Sequence, residues 1–202
     1  MAVYTKINKK EIAYINRKFE IEKIINFKGI KQGIENTNYL LKSKSKKFIL
    51  TIFEKRVSQK EVPFFMKLMD QLNNSKINCP KPQKNKNGSY LIRLRNKTAC
   101  IVSFLEGKDK KSLNLRNCHD IGRMIAEMHL RTKKINLSRK NSMSIRYLSP
   151  LVNSIKFKSK KFANLENFLK RNFRQIKMKW PKKLPSGIIH GDLFIDNIFF
   201  KN

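Results

Sequence analysis

The chain has 202 residues, enough for one large domain or two small ones, and 40% of them are hydrophobic, which excludes a disordered polymer. No run approaches the roughly 18 apolar residues of a membrane span, and MAVYTKINKKEIAY lacks the apolar stretch of a secretory signal, so a cytoplasmic protein with no membrane partner is expected. The net charge of +32 invites a nucleic-acid reading, but lysine outnumbers arginine about three to one and the basic runs KSKSKK and KSKK are short, so a joint bias toward Lys, Asn and Ile accounts for the excess and no specific nucleic-acid partner is expected.

In chain order, Asn8 and Glu11 have capping-box spacing, and Ile12, Ile15 and Phe19 follow at helical intervals, which predicts a first helix. The segments IEKIINFKGI, NYLLK and KFILTIF, set apart by Gly29, Gly33 and a lysine-serine stretch, predict three consecutive antiparallel strands. Val62, Phe65, Met66, Met69 and Leu72 recur every three or four residues and make one face of a helix, with Pro63 in its first turn. CPKPQKNKNG is rich in turn residues, and SYLIRL and TACIVSFL on either side of RNK predict a hairpin that completes a five-stranded sheet. After Gly107 the character becomes helical, with stripes at Ile121, Met124, Ile125 and Met128 and at Phe162, Leu165, Leu169, Phe173 and Ile176. The fold class expected is α+β, with a β-rich nucleotide-binding lobe over 1–106 and a helical catalytic lobe over 107–202. Cys79, Cys100 and Cys118 are isolated and odd in number, and are expected to be buried or half-buried thiols in a reducing compartment.

The chemistry concentrates at the end of the chain, IIHGDLFIDNIFFKN. His190, Asp192 and Asn197 have the HxDxxxxN spacing of a phosphotransferase catalytic loop, in which the Asp accepts the proton of the substrate hydroxyl and the Asn holds magnesium. Only fourteen residues are acidic, five of them Asp, and two of those five fall inside this motif. Acid has been kept where proton or metal chemistry needs it. His190 is expected to support the loop backbone, and the apolar pairs Ile188-Ile189 and Phe199-Phe200 predict a strand on each side. A polar turn between two strands is the bland alternative. Between the first two strands, FKGIKQGIENTNYLL carries Gly29 and Gly33, which permit close backbone approach to phosphates, and Asn36 and Asn38, which offer amide hydrogen bonds. A plain hairpin loop would contain the same residues.

HGDLFIDN resembles the catalytic loop of the aminoglycoside phosphotransferase and choline kinase superfamily. Within it, FKGIKQGIENTNYLL, KFILTIFEKR, VPFFMKLMDQL and IVSFLEGK resemble the homoserine kinases of bacterial threonine biosynthesis. The resemblance implies a protein-kinase-like two-lobed fold and transfer of the ATP γ-phosphate to the side-chain hydroxyl of L-homoserine with Mg2+. It implies Asp192 as catalytic base, Asn197 as magnesium ligand and residues 101–106 as the hinge that meets adenine. Such folds carry a phosphate-binding lysine on the third strand; Thr51 stands at that place, with Lys55 or Arg56 just beyond it. The second metal-binding Asp would fall after Asn202, so the helical lobe is expected to be incomplete and the edge at Ile198–Phe200 to promote chain association. Choline, an aminoglycoside or methylthioribose are the alternative acceptors, and a basic nucleic-acid-binding protein is the alternative class.

Overall fold

In a computed structural model, residues 3–31, 35–54, 59–157, 162–181 and 183–201 are described. They fall into two compact units, one taking in the chain up to Leu137 and again from Ile188, the other Ser138–Gly187.

Helix α1 (Lys9–Lys18) begins as its sequence predicts. The Asn8 side chain accepts the Lys10 N–H at 2.8 Å, while the Glu11 carboxylate accepts the Asn8 N–H at 2.8 Å. Two donors that a helix start leaves unpaired are thereby satisfied. Asn8→Ala should lower unfolding stability by about 1 kcal/mol, read from chemical denaturation. Ile12, Ile15 and Phe19 all point inward, with Ile15 fully buried.

Strands β1 (Asn26–Gly29), β2 (Thr37–Lys42), β3 (Lys47–Ile52), β4 (Leu91–Leu94) and β5 (Lys97–Ser103) form one sheet in the order β1-β2-β3-β5-β4, every neighbour antiparallel. Alternation sorts the side chains between two faces. Leu41, Leu50, Ile52 and Ile101 pack with Ile15 of α1 and with Phe19 just past its end. Ile49, Cys100 and Val102 pack on the other face against Val62 and Met66 of α2 (Val62–Asn74). The β4–β5 turn is as short as a hairpin allows: Leu94 pairs with Lys97, and Arg95 and Asn96 between them take φ of 49° and 60°. That left-handed pair matches the twist of the strands it joins. Arg95 Nε also meets Glu11 Oε1 at 2.7 Å, tying the hairpin to α1.

Helix α3 (Leu115–Thr132) packs on α2 through Met128, Leu72 and Ile77, with Ile125 half-buried beside them. Of its expected stripe, Met124 is exposed. The second unit holds α4 (Ile145–Ser154) and α5 (Ala163–Lys179). The stripe on α5 is helical as expected, but Leu165 and Ile176 are exposed, Leu169 and Phe173 are half-buried, and no described residue of this unit is buried. Burial pushes the Cys79 thiol up to about 11 and Cys100 up to about 12, whereas Cys118 is exposed, contrary to its sequence reading.

Candidate active site

The terminal motif folds into a tight loop. Gly191 takes φ of +75°, a left-handed conformation that a Cβ makes costly, and it lets the chain turn between His190 and Asp192. The Asp192 N–H donates to His190 Nδ1 at 3.4 Å. A single 3-10 turn over Ile195–Asn197 follows, in which the Asn197 N–H donates to Phe194 O at 3.0 Å. This turn swings the Asn197 side chain back over the loop. Its Nδ2 donates to the Asp192 backbone oxygen at 2.8 Å and to Asp192 Oδ2 at 3.2 Å. Both side chains are exposed.

A magnesium ion takes oxygen ligands and is commonly held by one or two protein groups completed by substrate phosphates and water. The exposed Asn197 offers one such oxygen and fits that role. Among the described residues no three His, Cys, Asp or Glu side chains gather to enclose an ion.

The predicted strands on either side of the loop are not formed. Among the described residues Ile188 and Ile189 have no ladder partner, and a strand exists only where one is supplied. On the other side Phe200 makes one antiparallel bridge with Lys108, through N–H···O bonds of 2.9 and 3.0 Å. Lys110 Nζ lies 4.7 Å from the Phe200 ring centroid, and Ile198 is buried. The apolar edge is partly covered in this way, although Phe199 stays exposed.

The chain leading from β5 to that bridge is bound to β3 and to residue 81 as far as Phe104. The Ser103 N–H donates to Lys81 O at 2.9 Å and the Phe104 N–H to Lys47 O at 3.2 Å. Beyond them, among the described residues, the backbone groups of Leu105 and Glu106 take no hydrogen bond.

The residues assigned by sequence to the phosphates gather elsewhere, at the end of the sheet where β2 begins and β3 ends. Asn38 and Thr51 are cross-strand partners, and Thr51 Oγ1 donates to Asn38 Oδ1 at 2.8 Å. Asn36 Oδ1 accepts the Glu54 N–H at 3.3 Å. Gly29 closes β1, where a Cβ would stand 3.0 Å from Val3 Cγ2, so its missing side chain makes room for the N-terminal segment. Gly33 and Lys55, with Arg56, lie outside the described residues. Asn36, Asn38 and Thr51 therefore form one group and His190, Asp192 and Asn197 another; among the described residues no hydrogen bond or ion pair joins them.

Residues 26–202 match the family described as the phosphotransferase enzyme family. The chain belongs to that family. Homoserine kinases from Parvibaculum lavamentivorans and Paramagnetospirillum magneticum are each 37% identical to it over 201 residues. The matches take in 99% of this chain but 63% and 62% of those proteins, so the chain spans about three fifths of the relatives' length. A solved spectinomycin phosphotransferase, in complex with ADP and spectinomycin, covers 98% of this chain and 67% of its own at a TM-score of 0.61 and 14% identity. That likeness shows the fold: the antiparallel sheet and helices are those of a protein-kinase-like phosphotransferase.

One cluster in the chain escaped the sequence reading. Glu54, just past β3, accepts hydrogen bonds from Thr5 Oγ1 and Thr37 Oγ1, both at 2.7 Å, and pairs with Lys97 at the start of β5. Lys97 also donates to Thr5 Oγ1 at 2.7 Å, and Thr37 Oγ1 accepts the Tyr4 and Thr5 N–H groups at 2.9 and 3.1 Å. Burial alone pushes the Glu54 carboxyl upward, but the hydrogen bonds and charge of Lys97, with the two threonines, outweigh it and hold the carboxyl below its ordinary value. The cluster pins the N-terminal segment to the sheet end that carries Asn36 and Asn38. Its one sequence signal was the scarcity of acid, which marked Glu54 as fully as it marked Asp192.

Proposed function

We propose that the chain forms part of an ATP-dependent kinase that phosphorylates the side-chain hydroxyl of L-homoserine in the cytoplasm, within threonine biosynthesis. The observation that carries this reading is the Asn197 side-chain amide donating to the Asp192 backbone oxygen and to one of its carboxylate oxygens. It fixes the carboxylate while leaving it accessible. In phosphoryl transfer the protein mainly positions groups and meets developing charge. Asp192 accepts the hydroxyl proton as the acceptor oxygen bonds to the γ-phosphorus, and the bond from that phosphorus to the bridging oxygen breaks to release ADP. Asn197 would hold Mg2+, which when bound offsets charge on the phosphates.

Residues 1–106 are the nucleotide-binding part in this reading and 107–202 the catalytic part. The backbone groups of Leu105 and Glu106, without hydrogen-bond partners among the described residues, stand in the segment proposed to meet adenine. Gly29, Gly33, Asn36, Asn38, Thr51 and Lys55 are the proposed phosphate-side set, with His190 as support for the catalytic loop. The name of the relatives supports homoserine among acceptors. Release of ADP with L-homoserine, compared with choline, an aminoglycoside and 5-methylthioribose, tests the choice. Turnover is expected on homoserine; turnover on one of the others with none on homoserine would overturn the acceptor.

A further inference from the structure

We infer that Gly107 is a positioning residue that locks the catalytic loop to the linker leaving β5, a role that rests on the kinase reading above. Gly107 has φ of +139°, which side-chain-bearing residues rarely adopt. A Cβ built there would lie 2.9 Å from Phe200 O, 3.1 Å from Phe199 Cβ and 3.3 Å from Phe200 C. Two of these three neighbours are backbone atoms, which cannot rotate aside as a side-chain tip does. The contact adjoins the Lys108–Phe200 bridge, whose two N–H···O bonds are, among the described residues, the hydrogen bonds that join 188–201 to the rest of the chain. Gly107 is therefore the place where the loop's one backbone anchor closes onto the linker.

The spacing gives this anchor its function. Phe200 lies three residues past Asn197, and Asn197 in turn holds Asp192. On the other strand of the bridge, Lys108 lies two residues past Glu106, whose backbone groups have no hydrogen-bond partner among the described residues. A nucleotide held by the linker and a carboxylate held by Asn197 thus share one short backbone connection. Any side chain at position 107 forces Phe200 away and moves Asn197 with it. By contrast Gly122, on α3, has nothing within 4 Å of an added Cβ.

The test compares wild type, Gly107→Ala and Gly122→Ala. In 15N-labelled protein, Gly107→Ala should shift the Asn197 side-chain amide signals and speed exchange of the Phe200 amide at least tenfold, while Gly122→Ala leaves both near wild type. In steady-state assays with MgATP and L-homoserine, Gly107→Ala should lower kcat at least tenfold with the KM for ATP within threefold. An undisturbed Phe200 amide in Gly107→Ala would overturn the anchor, and a disturbed one with kcat within twofold of wild type would overturn its positioning role. If wild type phosphorylates no alcohol, the kinase reading fails by itself, and the amide measurements still decide whether Gly107 holds Asn197.

Discussion

Asp192→Asn should lower kcat for phosphoryl transfer by about 10³-fold while Mg2+-free ADP binding stays within a factor of two or three. The substitution keeps size and shape, and its amide oxygen can still accept from Asn197. What it removes is the negative charge and the capacity to take a proton from the acceptor hydroxyl. Because Asp192 is exposed and its partners are local, the fold should be unaffected, and a thermal melt close to wild type separates lost chemistry from lost structure. A variant turning over within tenfold of wild type would remove Asp192 from the role of base.

Glu54→Ala should cost about 2 kcal/mol of unfolding free energy at neutral pH, since it strands two threonine hydroxyls and a lysine that were built around one carboxylate. The Lys97 side chain is 36% exposed, and solvent screening of its leftover charge keeps the cost below that of a fully buried pair. The pH dependence has a definite sign. The folded carboxyl lies below its unfolded value, so its contribution is present above the unfolded value and disappears as pH falls through the folded one. Denaturant midpoints of wild type and variant should therefore differ at pH 7 and converge in acid. Equal stability at pH 7, or a gap that persists in acid, would refute the account of this cluster.

What the sequence made legible was local. The capping box of Asn8 and Glu11, the alternation along β2 and β3, and the five-residue step from Asp192 to Asn197 each lie within one turn, strand or loop, and short-range sterics settle them. What it hid was long-range. Glu54 and Lys97 are far apart in the chain, and only the β3–β5 pairing brings them together. Gly107 marks a change of composition in the sequence, whereas its structural meaning depends on Phe200, nearly a hundred residues later. The strand expected at Ile188-Ile189 failed for the same reason: apolar pattern proposes a strand, but only a neighbour confers one. The Arg95–Asn96 turn was placed correctly between two strands, yet nothing in an arginine announces the left-handed backbone it adopts.

The unit Ser138–Gly187, in which no described residue is buried, bears on the chain's extreme charge. Close packing is what ordinarily disciplines a sequence, since each interior position must conserve volume and shape. Here that discipline is slack, and fourteen lysines and arginines accompany the single acid Glu166. Like charges this dense along the chain repel one another, and the repulsion grows as salt is withdrawn. The unit is therefore expected to gain stability on addition of salt, which screens the repulsion among its own lysines and arginines.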